Sequence, residues 1–227
     1  VSSYLEIAKR KVGHQTEGKP VQQIQREAIV VIDFGSQYSR LIARRVREAG
    51  VYCEIVQHED SWDRVAHLNP RGIVLSGGPA SVYGPDAPLA PSWVYESNLP
   101  VLGICYGMQV IVHQLGGKVS PSAKKEYGHS VLHQGLPDEL LFKDLPSSMP
   151  VWMSHGDRIV DSPPGFVSLA YTENSPIAAT SNGCGIFGIQ FHPEVVHTPD
   201  GKTLIRNFVQ EICGCSYLWT PANFVSA

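Results

Sequence analysis

No cysteine framework runs through these 227 residues: the five cysteines are an odd number at irregular spacing. That excludes a disulfide-stapled fold and points to a reducing, cytoplasmic compartment. No apolar run approaches the roughly 20 residues of a membrane-spanning helix. The first residues lack the apolar stretch of a signal peptide, so no membrane partner is expected. Excess positive charge is missing as well. The net charge is −3, so neither a polyanion-binding surface nor a nucleic-acid partner is expected. Charged residues make up only 17% of the chain against 43% hydrophobic ones. That is the balance of a packed core, and the length suits one α/β domain. The chain opens on Val1 rather than Met, as a processed or excised piece does.

What is present centres on Pro100–Gly117, PVLGICYGMQVIVHQLGG. An apolar run, Val101–Ile104, leads into an apolar-periodic helix carrying Met108, Val110, Ile111, Val112 and Leu115. Between them stands Gly103-Ile104-Cys105-Tyr106-Gly107, the strand–turn–helix elbow of a nucleophile with sulfur in place of the serine oxygen. The sharp turn forces the central residue into strained backbone, and flanking glycines have no Cβ to clash there. The helix N-terminus favours thiolate over thiol at Cys105. The N–H of Tyr106 points where an oxyanion would form. A lone cysteine is equally at home as a buried core residue, so this pattern alone leaves both readings open.

Residues 1–27 are polar and charged, with a helix expected over Tyr4–Lys11, and form an N-terminal extension outside the core. The core begins at Ala28. Ala28–Ile32 is a continuous β-branched run, as expected of a strand covered on both faces. Asp33-Phe34-Gly35-Ser36 turns into a helix over Gln37–Ala49, stopped by Gly50. Val51–Gln57, Gly72–Leu75 and Val101–Ile104 continue the alternation. Strand, helix, strand, helix predicts a doubly wound, mostly parallel sheet with helices on both faces, whose ligands bind at the carboxyl ends of the strands. After Gly117 the pattern changes to shorter strands over Tyr127–Leu132, Val151–Met153, Phe166–Tyr171, Ile177–Thr180 and Gly185–Phe191, an added antiparallel β region. A helix over Thr203–Ile212 closes the fold. The tail from Cys213 to Ala227 either docks a partner through Tyr217, Leu218, Trp219, Phe224 and Val225 or packs back on the domain.

The loop Ser76-Gly77-Gly78-Pro79-Ala80-Ser81 has three readings. A phosphate cradle is disfavoured, because Pro79 lacks an N–H and no Lys-Ser/Thr follows. A donor loop, in which Gly78 lends its N–H to a neighbouring oxyanion, fits an acyl-transfer nucleophile that needs two such donors. A plain glycine turn is the third. A cysteine nucleophile also needs an imidazole with an orienting group. Among nine histidines, His192 follows the strongest late strand, and Glu194 two residues on faces the same side. Pro193 stiffens the link. His113 reads as a helix-face residue. Cys184 precedes a strand, Cys53 lies inside one, and Cys213-x-Cys215 lacks a second ligand pair for a metal.

GICYGMQ, with SGGP upstream and FHPE downstream, resembles the class I (triad) glutamine amidotransferases, over a match from about Ala28 to the C-terminus. The resemblance implies that Cys105 attacks the side-chain amide of glutamine, that His192 moves protons and that Glu194 orients it. It implies oxyanion donors at Gly78 and Tyr106, and substrate contacts at Gln109, Trp152, Ser154 and Asp157, with Asp157 on the α-amino group. Ser154-His155-Gly156-Asp157 also reads as an ordinary turn. Within the family, DFGSQY, Tyr106 after the cysteine, and Leu218-Trp219-Thr220-Pro221 are similar to the branch that hands ammonia to the nucleotide XMP. There the acceptor is bound by an ATP-pyrophosphatase synthetase domain, in cis or in trans. That domain carries an SGGxDS loop, whereas the only SGG here runs on into Pro-Ala-Ser. The resemblance thus implies residues 28–213 as the amidotransferase domain and 214–227 as a linker toward a missing synthetase domain. No cofactor is implied in this chain, ATP and Mg²⁺ belonging to the missing part.

Overall fold

A computed structural model describes residues 27–136, 139–217 and 219. The expected helix over Tyr4–Lys11 lies outside the described residues, as do Phe224 and Val225 of the tail. Nine strands form one sheet: β1 (Ala28–Asp33), β2 (Tyr52–Gln57), β3 (Pro70–Leu75), β4 (Val101–Ile104), β5 (Lys118–Gln134), β6 (Ser148–Asp161), β7 (Val167–Tyr171), β8 (Ala179–Ser181) and β9 (Ile186–Ile189). Its order is β2-β1-β3-β4-β9-β8-β7-β5-β6. The first five neighbours are parallel. From β9 onward every pairing is antiparallel. The expected added β region is therefore an extension of the same sheet rather than a separate layer.

The helices are α1 (Ser39–Glu48), α2 (Trp62–Ala66), α3 (Trp93–Glu96), α4 (Tyr106–Gln114) and α5 (Gly201–Arg206), the last running on as a π-helix over Asn207–Ile212. They cover both faces, and the alternation of β1 shows how. Ile29 and Val31 pack with Ile42, Ala43 and Val46 of α1 and with Leu204, Ile205, Phe208 and Val209. Val30 and Ile32 pack on the other side with Val65, Val94, Tyr106, Val110 and Ile111. Both faces of the parallel half are thus dry, as its β-branched runs require.

Three features place the site. The Asp33 carboxylate accepts from the N–H groups of Gly35 and Ser36 and from the Ser39 hydroxyl, which bends the chain from β1 into α1. A Cβ at Gly107 would lie 2.4 Å from the Leu75 carbonyl oxygen, so only glycine lets α4 start this close to β3. A Cβ at Gly188 would lie 2.6 Å from Met108 Cγ, so α4 also lies directly on β9. Strands β5 and β6 are longer than their apolar patterns foretold, because polar residues at their ends pair in a two-stranded ladder. The described part of the tail packs back: the Trp219 N–H donates to the Gly50 carbonyl, and the Tyr217 ring fills the space a Cβ at Gly50 would take. Cys213 and Cys215 are buried free thiols, and no cluster of three metal-ligating side chains occurs among the described residues.

Candidate active site

Cys105 joins β4 to α4 with φ +54° and ψ −106°, a backbone that a non-glycine residue holds only under constraint. Its N–H donates to the Ile189 carbonyl at 2.7 Å, which ties the turn to the end of β9. The thiol is 5% exposed. Its hydrogen points toward the Ser154 carbonyl, 3.7 Å from the sulfur, and the Gln190 amide lies 3.8 Å away.

His192 follows the end of β9 by three residues and lies beside Cys105. Gly77 marks how close the two lie: a Cβ there would stand 3.3 Å from His192 Cε1 and 3.9 Å from Cys105 Cβ. His192 Nδ1 is 2.7 Å from Glu194 Oε1, with both side chains buried. The Tyr38 ring meets the imidazole edge-on at 5.3 Å. The backbone around the pair is pinned as well. The His192 N–H donates to the Trp152 carbonyl, Thr198 Oγ1 donates to the His192 carbonyl, and Arg45 Nε donates to the Glu194 carbonyl. Burial disfavours the imidazolium, but the contacts with Cys105 and Glu194 outweigh it and push the His192 pKa up to about 11.

A cavity of about 520 Å³ opens on the sulfur, lined among others by Gly78, Tyr106, Gln109, Ser154 and Asp157. Among the described residues, neither the Gly78 nor the Tyr106 N–H is spent on another acceptor. Tyr106 anchors its ring through the phenol, which donates to the Pro88 carbonyl at 2.8 Å. Gln109 reaches the Asp157 carbonyl and the Gln190 side chain, each at 3.5 Å. The Asp157 carboxylate accepts from Ser81 Oγ at 2.6 Å and Tyr83 Oη at 2.7 Å. Trp152 stands apart from the cavity. Its ring stacks on His197 at 4.3 Å and meets His129 edge-on at 5.2 Å, and it serves the site through its main-chain carbonyl.

Of the nine residues singled out from sequence, eight therefore converge on one end of the sheet and the ninth, Trp152, flanks it. Sequence reasoning missed Tyr38, Gln190, Ser81 and Tyr83, and also a buried pair, Glu126 with His155, next to the cavity. Gln190 had a signal, since it precedes His192 by two positions at the end of the same strand. Glu126 had none, standing in a polar stretch with no motif.

The fold belongs to a known class. The family model for class-I glutamine amidotransferases matches residues 30–212, so the chain belongs to that family. The particular relatives are narrower. The chain is 57% identical over 222 residues to a glutamine-hydrolysing GMP synthase of Dehalococcoides mccartyi, covering 97% of this chain and 42% of the relative. To the GMP synthase of Thermomicrobium roseum it is 55% identical over 199 residues, covering 88% and 37%. The chain thus spans about two fifths of the length of the curated relatives it matches. Among solved structures it is similar to a candidate GMP synthase component from Thermoplasma acidophilum, with a TM-score of 0.75 at 32% identity, covering 83% of this chain and 94% of that one. A glutamine amidotransferase of Thermotoga maritima shares the fold at a TM-score of 0.65 and 18% identity. No helix among the described residues is long and apolar enough to cross a membrane.

Proposed function

We propose that this chain is the glutaminase part of a glutamine-hydrolysing GMP synthase, releasing ammonia for the amination of XMP. The observation that carries the reading is Cys105 held at positive φ at the strand–helix junction beside His192, whose Nδ1 meets buried Glu194. In this reading the thiolate attacks the γ-amide carbon of glutamine. The oxyanion settles on the N–H groups of Gly78 and Tyr106. The His192 imidazolium gives its proton to the amide nitrogen, the C–N bond breaks and ammonia leaves. Water then adds to the γ-glutamyl thioester while His192 takes its proton. Collapse frees glutamate and the sulfur. Glu194 keeps the imidazole in the required tautomer and supports its charge. Asp157 receives the α-amino group, with Gln109 and Ser154 along the cavity wall.

These steps need no cofactor. ATP and Mg²⁺ serve a synthetase domain, and that domain is the partner in this reading. The support is that GMP synthase relatives are more than twice as long as the stretch they share with this chain.

The test is mass spectrometry after treatment with a diazo-ketone analogue of glutamine, alongside Cys105→Ala. The expected result is one adduct, on Cys105, and a folded variant that releases no ammonia from glutamine. An adduct on another side chain, or undiminished release by the variant, would overturn the reading.

A further inference from the structure

A second buried carboxylate–imidazole pair lies beside the cavity, and the hydrolysis steps above do not use it. Glu126 on β5 and His155 on β6 are register partners. His155 Nε2 is 3.1 Å from Glu126 Oε2, and the residues are only 4% and 7% exposed. Glu126 is anchored from behind. Its Oε1 accepts from Thr172 Oγ1 at 3.1 Å and its Oε2 from Ser175 Oγ at 2.5 Å, and Thr172 Oγ1 accepts the Ser175 N–H. On the far side, His155 Nδ1 is 2.8 Å from the Asp157 carbonyl oxygen.

The Asp157 carbonyl fixes which imidazole nitrogen of His155 carries a hydrogen. A carbonyl only accepts, so Nδ1 carries its hydrogen and donates to Asp157. Nε2 is then the atom that faces Glu126. Nε2 is buried and makes no well-aligned hydrogen bond, so its contact with Glu126 Oε2 at 3.1 Å is one of charge and packing. Burial lowers the His155 pKa, against the pull of the Asp157 carbonyl and Glu126. The couple thus runs from the β7–β8 loop through the sheet to the main chain of Asp157, whose carboxylate lines the cavity.

We propose that Glu126 is a positioning residue for glutamine: acting through His155, it fixes the Ser154–Asp157 stretch and so the point at which the α-amino group docks. This deepens, and rests on, the glutamine-site reading above. A merely structural pair would, when broken, lower stability without changing glutamine affinity in the protein that remains folded.

The experiment is glutamine protection of Cys105 against iodoacetamide, read by mass spectrometry, with KM and kcat measured in parallel. Glu126→Ala is expected to raise the half-protecting glutamine concentration and KM about tenfold, the usual cost of an unpartnered buried polar group, with kcat within about threefold. Unprotected alkylation of Cys105 keeps its rate, because Glu126 does not touch His192. Glu126→Gln still offers Nε2 a donor and Thr172 an acceptor, and recovers most of the affinity. If Glu126→Ala yields no folded protein, Thr172→Val with Ser175→Ala strips the anchoring donors and is expected to shift protection the same way. Folded variants protected at the wild-type concentration overturn the inference while leaving the glutamine site intact. A wild-type protein that glutamine does not protect overturns the site reading and this inference with it.

Discussion

Two glycines flanking the strand–helix elbow separate function from fold, and one pair of substitutions tests the site's geometry. Gly77→Ala adds a methyl whose carbon lies 3.3 Å from His192 Cε1, 3.4 Å from Ser36 Oγ and 3.9 Å from Cys105 Cβ. Gly77 does not need positive φ, so alanine takes the backbone without strain. The contact with the imidazole is tighter than ordinary van der Waals distance by about a tenth of an ångström, so relief needs a shift of a few tenths at most. Misplacement by about 1 Å costs on the order of 100-fold in rate, so a few tenths should lower kcat roughly three- to tenfold. Stability should fall by less than about 1 kcal/mol, because only side-chain atoms are met. Gly107→Ala is the contrast. Its methyl would lie 2.4 Å from the Leu75 carbonyl oxygen, 2.7 Å from Leu75 Cβ and 2.8 Å from its carbonyl carbon. Central-strand backbone must move, at a cost of about 3 kcal/mol, or some 6–12 °C in melting temperature for a chain of this size. Ammonia release from glutamine and thermal unfolding by circular dichroism give the two readouts. Full activity in Gly77→Ala would refute the claim that His192 is clamped between Gly77 and the sulfur. A large loss of stability in that variant would refute the division of roles.

The remaining predictions concern the elbow and its proton. At φ +54° a side chain is strained whatever it is, so Cys105→Gly should be more stable than Cys105→Ala by about 1 kcal/mol in urea unfolding; equal stability would mean the turn stores no strain. The contacts around His192 push its pKa up to about 11, and in the proposed steps its proton must be present to reach the departing nitrogen. The rate should therefore stay level from about pH 7 to about pH 9, and a descending limb near 7 in a pH–rate profile would contradict this. Cys105→Ala removes one of the two groups that raise the imidazole, so an NMR titration should find the His192 pKa lowered relative to wild type while Glu194 still supports it.

The parallel half of the fold was legible from the chain because its signals are local. A β-branched run covered on both faces, a turn rich in Asp and Gly, and an amphipathic helix each follow from a few neighbouring residues. The elbow around Cys105 and the His192-x-Glu194 unit were legible for the same reason, since each packs its geometry into three to five positions. The antiparallel half was only partly so. Apolar patterning cuts β5 and β6 short because Lys118–Glu126 and Ser154–Asp161 carry mostly polar residues, which the backbone ladder pairs all the same. Trp152 was placed at the substrate by resemblance, yet its ring lies on His197 and His129. Glu126 was invisible because its meaning depends on Thr172 and Ser175, more than forty positions away.

One strand makes these halves a single site. β9 pairs parallel with β4 on one side and antiparallel with β8 on the other. Ile189 is level with Ile104, so both strands end together and their next residues, Gln190 and Cys105, emerge side by side. In the proposed reading the nucleophile thus comes from the parallel half, where a helix follows and its N-terminus meets the sulfur. The proposed base comes from the end of β9, where no helix follows at once and Pro193 can hold Glu194 beside the imidazole. Asp157 comes from the antiparallel half, and it faces Ser81 and Tyr83 of the parallel half across the cavity that, in the proposed reading, takes the rest of the amino acid. Neither half could supply all three, since a parallel strand end offers a nucleophile and oxyanion donors but no long ribbon to close over them. The seam at β9 explains why chemistry and substrate recognition sit within one cavity while being written some fifty to ninety positions apart in the chain.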